Sequence, residues 1–148
     1  MSNDTHILLV YYSLTGHTEY VAKLIARAVG CEIERIEPLI PYKHSKEPVR
    51  RRLRIEPKPE IRILTHDITH YGTIILGMPV WDNDLPGPVI TFLEKVDWRG
   101  IRVHPFFATG GVYISVYARL KARCKGAAFT APLYLIYDSD NELVGIKE

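Results

Sequence analysis

The chain has 148 residues, of which 47% are hydrophobic and 24% charged, and its formal net charge is +2. This length and composition predict one globular domain over residues 1–148 with a sizeable apolar core. Its apolar runs fall far short of the roughly 20 residues that span a membrane, and residues 1–4 lack the basic and apolar pattern of a secretion signal, so we expect a cytoplasmic protein.

Apolar runs bounded by turn residues alternate with segments of helical period, a pattern typical of strand-helix-strand units on a parallel sheet. The first strand is predicted at residues 7–12, followed by a helix at residues 18–28 that Gly30 ends. A short strand at residues 31–36 alternates apolar and charged residues, which favours a position near a sheet edge. The helix is expected to bury the side formed by Tyr20, Val21, Leu24, Ile25 and Ala28.

Residues 38–69 contain five prolines and many charges, so they predict a long irregular crossover with one short helix at most. Within it, the segment from Lys43 to Arg62 has eight Lys or Arg against three Glu, a local charge of +5. A short charge run is usually a solvated face, and no Phe, Tyr or Trp lies within this one to stack on bases. We therefore do not expect nucleic-acid binding, and the role of the basic segment stays open.

The middle of the chain predicts a second strand-helix pair. A buried central strand at residues 71–77 is followed by a loop at residues 78–85, and Pro86 then opens a helix. The apolar side chains of this helix that are expected to face the sheet are Val89, Phe92, Leu93 and Val96.

The last third of the chain predicts one more unit of the same kind. A strand at residues 101–108 ends at the turn 109–111, and a helix follows at residues 112–124. A fifth strand is predicted at residues 128–137, and the capping-box pattern at residues 139–142 predicts a short terminal helix.

Two cysteines, Cys31 and Cys124, are present, and both are expected to be buried thiols. Val116, Leu120 and Cys124 recur at intervals of four on the predicted helix, which places Cys124 on its apolar side.

The residues between the first strand and the first helix, Ser13-Leu14-Thr15-Gly16-His17-Thr18, have the composition of a phosphate-binding turn. Such a turn directs backbone N–H groups and the positive end of a helix dipole to one point, where the hydroxyls of Ser13, Thr15 and Thr18 can also donate. The turn has no Lys or Arg, and the glycine-rich motifs of triphosphate and dinucleotide sites are absent, so a monophosphate is predicted. The same residue types are also ordinary helix caps, which leaves a purely structural role open.

Two further loops are expected beside this turn, because the carboxyl ends of parallel strands lie at one edge of a sheet. Residues 79–85 present the indole of Trp81, a flat apolar surface. Residues 109–111 present glycine backbone that a ring can approach closely. The three loops together predict a site for a phosphate that is attached to a planar aromatic group.

These segments resemble the motifs of the flavodoxin family. The turn at residues 13–18 is similar to the phosphate loop Ser/Thr-x-Thr-Gly-x-Thr, residues 76–81 resemble the Gly-x-Pro-x-Trp segment, and residues 107–111 resemble the Phe-x-Thr-x-Gly segment. The resemblance extends over about residues 6–136. It implies an α/β flavodoxin-like three-layer sandwich with a five-stranded parallel sheet of order 2-1-3-4-5, here with a shortened final helix.

The resemblance also implies that FMN is the cofactor, and that the flavin supplies the redox chemistry without a catalytic acid or base from the protein. His17 stands where many family members have Asn, and the loop after Trp81 lacks a glycine, although Asn83 tolerates a positive φ. The residues that would hold the phosphate are Ser13, Leu14, Thr15, Gly16, His17 and Thr18. Those that would line the two sides of the isoalloxazine are Pro79, Val80, Trp81 and Asp82 on one side, and Thr109, Gly110 and Gly111 on the other.

An FMN-binding redox protein is therefore the first hypothesis. It would be either an electron carrier or a small reductase that takes electrons from a nicotinamide or passes them to a quinone-like acceptor. A flavodoxin-like binding or regulatory module without flavin is the alternative. Family members that carry single electrons are typically strongly acidic, whereas this chain has a net charge of +2, which disfavours the carrier role. The shortened final helix would leave one sheet face for a partner subunit or the basic crossover to cover, and of these we predict self-association.

Overall fold

A computed structural model describes residues 6–42, 56–81, 83–110, 114–138, 140 and 142–147. The sheet consists of β1 (Ile7–Tyr11), β2 (Glu32–Arg35), β3 (Thr73–Pro79), β4 (Arg102–Thr109), β5 (Ala128–Phe129), β6 (Leu133–Tyr137) and β7 (Leu143–Lys147). The helices are α1 (His17–Val29), α2 (Gly87–Glu94), α3 (Ile114–Arg123) and a 3-10 helix (Ile68–His70).

The sheet has the strand order β2-β1-β3-β4-β6-β7, and β5 also pairs with β4. All pairs are parallel except β6 with β7. The predicted order 2-1-3-4-5 is confirmed for this parallel core, with β2 at the edge as expected. The predicted fifth strand is divided into β5 and β6. The N–H of Thr130 still donates to Val103 of β4, and the ladder is interrupted at residues 131–132, where Pro132 has no N–H to donate.

Two apolar layers cover the sheet. One contains Leu8, Val10, Ile74 and Leu76 together with buried residues of α2 and α3, and the other contains Leu9, Tyr11 and Phe106 together with α1. The predicted apolar contacts of the α2 region are confirmed, since Val89, Phe92 and Leu93 are buried and Val96 packs against them.

The first helix buries the predicted side only in part. Val21 and Ile25 pack against the core as predicted, whereas Tyr20 and Leu24 are 66% and 47% exposed. The buried residues of the helix are Thr18, Ala22 and Ala26, because side chains as small as alanine let the helix backbone approach the strands closely. Cys31 departs from the prediction too, because it is partly exposed, whereas Cys124 is buried as predicted.

The predicted terminal helix is wrong, because the chain returns as the antiparallel strand β7, in which Ile146 pairs with Leu135 of β6. Oδ1 of Asp138 accepts hydrogen bonds from the backbone N–H groups of Asp140 and Glu142, both at 2.9 Å. Asp138 therefore caps a chain reversal. Ser139 and Asn141, the first and third residues of the predicted capping box, lie outside the described residues.

The two described arms of the crossover pair with each other through their backbones. Pro38 bridges to Ile61, and the N–H of Leu39 donates to the carbonyl of Glu60 at 2.9 Å. The hydroxyl of Thr91 in α2 donates to the carbonyl of Pro59 at 2.7 Å. Residues 43–55, which include most of the basic segment, lie outside the described residues. No helix in the described part of the chain is long and apolar enough to cross a membrane.

Candidate functional site

The three loops singled out from the sequence begin at one edge of the sheet. Tyr11 at the end of β1 is in register with Gly77 of β3, and Pro79 at the end of β3 is in register with Ala108 of β4. These strands are adjacent and parallel, so residues 13–18, 79–85 and 109–110 follow neighbouring carboxyl ends. This is the position where open α/β sheets bind ligands.

The first turn is shaped by Ser13 and Gly16. Ser13 is 3% exposed, and its Oγ accepts a hydrogen bond from the backbone N–H of Gly16 at 3.1 Å. Gly16 has a φ of 103° and is the N-cap of α1, so a residue without Cβ is required here. Because a hydroxyl that accepts one bond can still donate another, Ser13 braces the turn and keeps a donor for an anion.

The remaining residues of the turn lie at the start of α1. Thr18 is 2% exposed in the first turn of the helix, whereas Thr15 is exposed and its Oγ1 lies 3.0 Å from Nδ1 of His17. The His17 ring lies beside Tyr137 of β6, with ring centroids 4.9 Å apart. Leu14 packs against the core. The backbone N–H groups at this helix start make it an anion-binding geometry, with two nearby hydroxyls and an imidazole.

A cation that the sequence reasoning missed lies behind the turn. Arg35 of β2 donates to the carbonyl oxygen of Ser13 at 3.2 Å and also pairs with the carboxylate of Glu19. Tyr11 donates to the same carboxylate at 3.0 Å, and burial together with that carboxylate raises the pKa of Tyr11 to about 12. Arg35 is in register with Tyr11 across β1 and β2, so only a correct strand pairing reveals the contact.

The second loop makes a tight turn from Trp81 to Asp84. The N–H of Trp81 donates to the carbonyl of Asp84 at 3.0 Å, and the N–H of Asp84 donates back to the carbonyl of Trp81 at 2.9 Å. Asn83 has a φ of 61°, so it takes the left-handed conformation that a glycine would otherwise supply, and that its residue type tolerates. Asp82 lies outside the described residues, whereas Pro79 and Val80 are partly exposed beside the turn.

The indole of Trp81 is partly exposed and is contacted edge-on by two tyrosines. The ring centroids of Tyr12 and Trp81 are 5.4 Å apart at 88°, and those of Tyr42 and Trp81 are 5.4 Å apart at 84°. The sequence analysis did not include either tyrosine in the site. Tyr12 directly precedes the first turn, which is a usable signal, whereas Tyr42 lies in the proline-rich crossover, where no pattern predicts its position.

The third loop supplies open backbone. Thr109, the last residue of β4, is 8% exposed, and Gly110 is exposed, with no heavy atom within 4 Å of the position that a Cβ would occupy. Gly16 in the first turn has the same open space. Gly111 lies outside the described residues. At both described glycines a ligand can therefore approach the backbone without meeting a side chain.

The model of the flavodoxin family matches residues 6–142, so the chain belongs to the flavodoxin family. A comparison with curated protein sequences finds no significant match.

Solved structures agree with this assignment. A Bacteroides uniformis protein assigned as a flavoprotein is 27% identical, with a TM-score of 0.80 over 92% of this chain and 93% of that one. A Lactobacillus acidophilus flavoprotein in complex with FMN is 22% identical, with a TM-score of 0.74 over 87% and 92% of the two chains. Oxidised flavodoxin 2 from Bacillus cereus is 21% identical, with a TM-score of 0.61 over 93% and 88%. The last two comparisons show a shared fold.

Proposed function

We propose that this chain binds FMN at the three loops and works as a redox protein. The observation that carries the proposal is the meeting of a hydroxyl-rich helix start, an indole and open glycine backbone at one sheet edge. Each part of the site matches one part of FMN. The anion-binding turn matches the phosphate, and the loops with the indole and the glycine match the planar ring. Family membership and the FMN complex of the Lactobacillus acidophilus flavoprotein support the same ligand.

The residues present fit this cofactor at both ends. At the phosphate end, the N–H groups at the start of α1 and the hydroxyls of Ser13, Thr15 and Thr18 are the donors, and the open space at Gly16 leaves room for the anion. At the ring end, Trp81 and Gly110 lie on the loops that follow β3 and β4. The bound flavin would supply the oxidation and reduction, while these residues bind it and orient its ring.

Titration of the purified protein with FMN tests the proposal. We expect quenching of flavin fluorescence with a dissociation constant of about micromolar or lower. Riboflavin, which lacks the phosphate, is the matched ligand and is expected to bind at least about tenfold more weakly. If neither ligand binds, the proposal fails, and a flavodoxin-like binding or regulatory module is the function that remains.

The electron-carrier and reductase roles require a second experiment on the flavin-loaded protein. Photoreduction followed by absorbance separates transfer of one electron at a time from transfer of two. Reduction by a reduced nicotinamide and reoxidation by a quinone then test for a reductase, and mixing with a redox partner protein tests for a carrier. A net charge of +2 favours the reductase, because single-electron carriers usually dock onto basic partners through acidic surfaces.

Self-association is part of the same proposal and rests on the absence of a terminal helix from the described residues. Val144 and Ile146 of β7 are 61% and 60% exposed. An exposed apolar edge strand is a surface that proteins usually cover. Light scattering on the purified protein is expected to give a dimer, and a monomer at working concentrations would remove this part of the proposal.

A further inference from the structure

Trp81 and its two tyrosine neighbours form an aromatic cluster that joins three separate parts of the chain. Tyr12 directly follows β1, Trp81 follows β3, and Tyr42 belongs to the crossover after β2. Both tyrosine rings are almost perpendicular to the indole, at 88° and 84°, and both tyrosines are buried, at 3% and 8% exposure. Edge-to-face contacts of this kind are directional, so they favour one orientation of the indole.

The position of Tyr42 depends on how the crossover is attached. The antiparallel bridge between Pro38 and Ile61 and the hydrogen bond from Leu39 to Glu60 pair its two described arms. Thr91 of α2 then ties the second arm to the helix through the carbonyl of Pro59. The arm that ends at Tyr42 is thus anchored to the body of the domain, and the ring it presents to Trp81 has a defined position.

The geometry points to Tyr42 as a positioning residue of the flavin site. We infer that Tyr42, together with Tyr12, holds the indole of Trp81 in the orientation in which it lines the ring end of the site. The inference rests on the proposed function for the identity of the ring. An indole that is already oriented in the free protein loses less conformational freedom when the ligand binds. Tyr42 would therefore strengthen binding of the flavin ring without touching the ring itself.

The first test measures Trp81 in the protein without flavin. Trp98 is the other tryptophan, so Trp98→Phe leaves Trp81 as the sole indole emitter. In that background, Tyr42→Leu is expected to shorten the anisotropy decay of Trp81 and to weaken its near-ultraviolet circular dichroism. Tyr42→Phe retains the ring and is expected to preserve both signals. Unchanged signals in Tyr42→Leu would overturn the inference.

Because Trp98 is buried and donates to the carbonyl of Leu93 at 2.9 Å, its replacement can impair folding. Fluorine NMR on fluorotryptophan-labelled protein avoids the replacement, since it resolves two resonances in the otherwise natural chain. The resonance that Trp81→Phe removes is then expected to shift or broaden in Tyr42→Leu, and the other is expected to stay. A shift of the Trp98 resonance alone would also overturn the inference.

The second test is ligand binding, with a matched control in the same core. Tyr42→Leu is expected to weaken FMN and riboflavin by the same factor, roughly three- to tenfold, as for the loss of one edge-to-face contact. Phe92→Leu removes a comparable contact, that of Phe92 with Trp98 at 5.9 Å and 82°, and is expected to leave both affinities unchanged. Equal weakening by both variants would mean general destabilisation and would overturn the positioning role. If the unaltered protein binds no flavin, the proposed function fails, while the indole signals still decide whether Tyr42 positions Trp81.

Discussion

Arg119 of α3 donates a hydrogen bond to Oδ2 of Asp84 at 2.8 Å and so connects the loop that carries Trp81 to the helix that follows the third loop. Oδ1 of the same carboxylate accepts from the N–H of Leu85 at 2.7 Å. The side chains of Arg119 and Asp84 are 56% and 37% exposed, so water and salt weaken their attraction. The pair therefore contributes little to stability, and its main effect is expected on the spacing of the two loops.

Replacement of Arg119 by Ala tests that role. We expect FMN to bind about two- to fivefold more weakly, with a change in the free energy of unfolding below about 1 kcal/mol. Arg99→Ala is the control, because it removes the exposed pair of Arg99 with Asp97 at 2.6 Å, which precedes the amino end of β4 and is remote from the loops. Flavin titration and urea denaturation measure both effects. An equal loss of affinity in the control would show that the pair at Asp84 has no special role.

Thr18→Val tests the phosphate end, because it removes a hydroxyl from a buried position while keeping the size of the side chain. The expected loss of FMN affinity is about tenfold or more, the value for one hydrogen bond to a charged group, with riboflavin affinity almost unchanged. The control is Thr130→Val, because the hydroxyl of Thr130 lies 2.9 Å from Nδ1 of His104. This variant is expected to change neither affinity. Equal losses for FMN and riboflavin in Thr18→Val would contradict the assignment of this turn to the phosphate.

The parts of the fold that the sequence predicted correctly depend on local signals. The first turn combines Gly16 with hydroxyls directly after an apolar strand, and the φ of 103° at Gly16 satisfies that expectation. Asn83 also depends on a local signal, since Asn is a residue type that tolerates the positive φ observed there. The alternation of strands and helices predicted a parallel sheet, whereas the order of its strands was implied by the resemblance to the flavodoxin family, and the structure confirms both for the parallel core.

The features that the sequence did not predict depend on contacts between distant segments. Tyr42 meets Trp81, and Arg35 meets Ser13, only after the crossover and β2 are in place. On α1, the buried side is centred on Ala22 and leaves Tyr20 exposed, and a period of 3.6 residues does not decide where the centre of a broad apolar side lies.

Three glycine replacements separate backbone strain from ligand contact. Gly16 and Gly30 have φ values of 103° and 78° at the two ends of α1, so an Ala at either is expected to cost about 1 to 2 kcal/mol of stability. Gly110 has open space and no positive φ, so Gly110→Ala is expected to change stability by less than about 0.5 kcal/mol.

The expected effects of the three replacements on flavin affinity differ from their effects on stability. Gly16→Ala and Gly110→Ala are expected to weaken FMN binding, because each adds a methyl group where the proposed site would bring the cofactor close to the backbone. Gly30→Ala lies at the far end of α1 and is expected to leave affinity unchanged despite its loss of stability. Urea denaturation and fluorescence titration on the three proteins measure both quantities, and a loss of affinity that follows stability alone would argue against ligand contact at Gly110.

The carboxylate of Glu34 on β2 is only 6% exposed and anchors the second arm of the crossover. It accepts hydrogen bonds from the Thr65 hydroxyl at 2.9 Å and the His66 N–H at 2.8 Å, and it lies 2.7 Å from Nδ1 of His66. Nε2 of His66 lies 2.9 Å from the carboxylate of Glu32. Hydrogen bonding to Glu34 raises the pKa of His66 above 6.5. Burial alone would raise the pKa of Glu34, but the bonds from His66 and Thr65 outweigh it and lower that pKa below 4.5.

These opposite shifts predict how stability depends on pH. The contribution of His66 to the free energy of unfolding is complete below pH 6.5 and is lost as the pH rises through the raised pKa of His66. The contribution of Glu34 is complete above pH 4.5 and is lost as the pH falls through the lowered pKa of Glu34. The difference in unfolding free energy between the unaltered protein and His66→Gln is therefore expected to be largest between pH 4.5 and 6.5. Urea denaturation of both proteins across this range measures it. A difference for His66→Gln that does not vary with pH would show that the imidazolium does not stabilise this anchor.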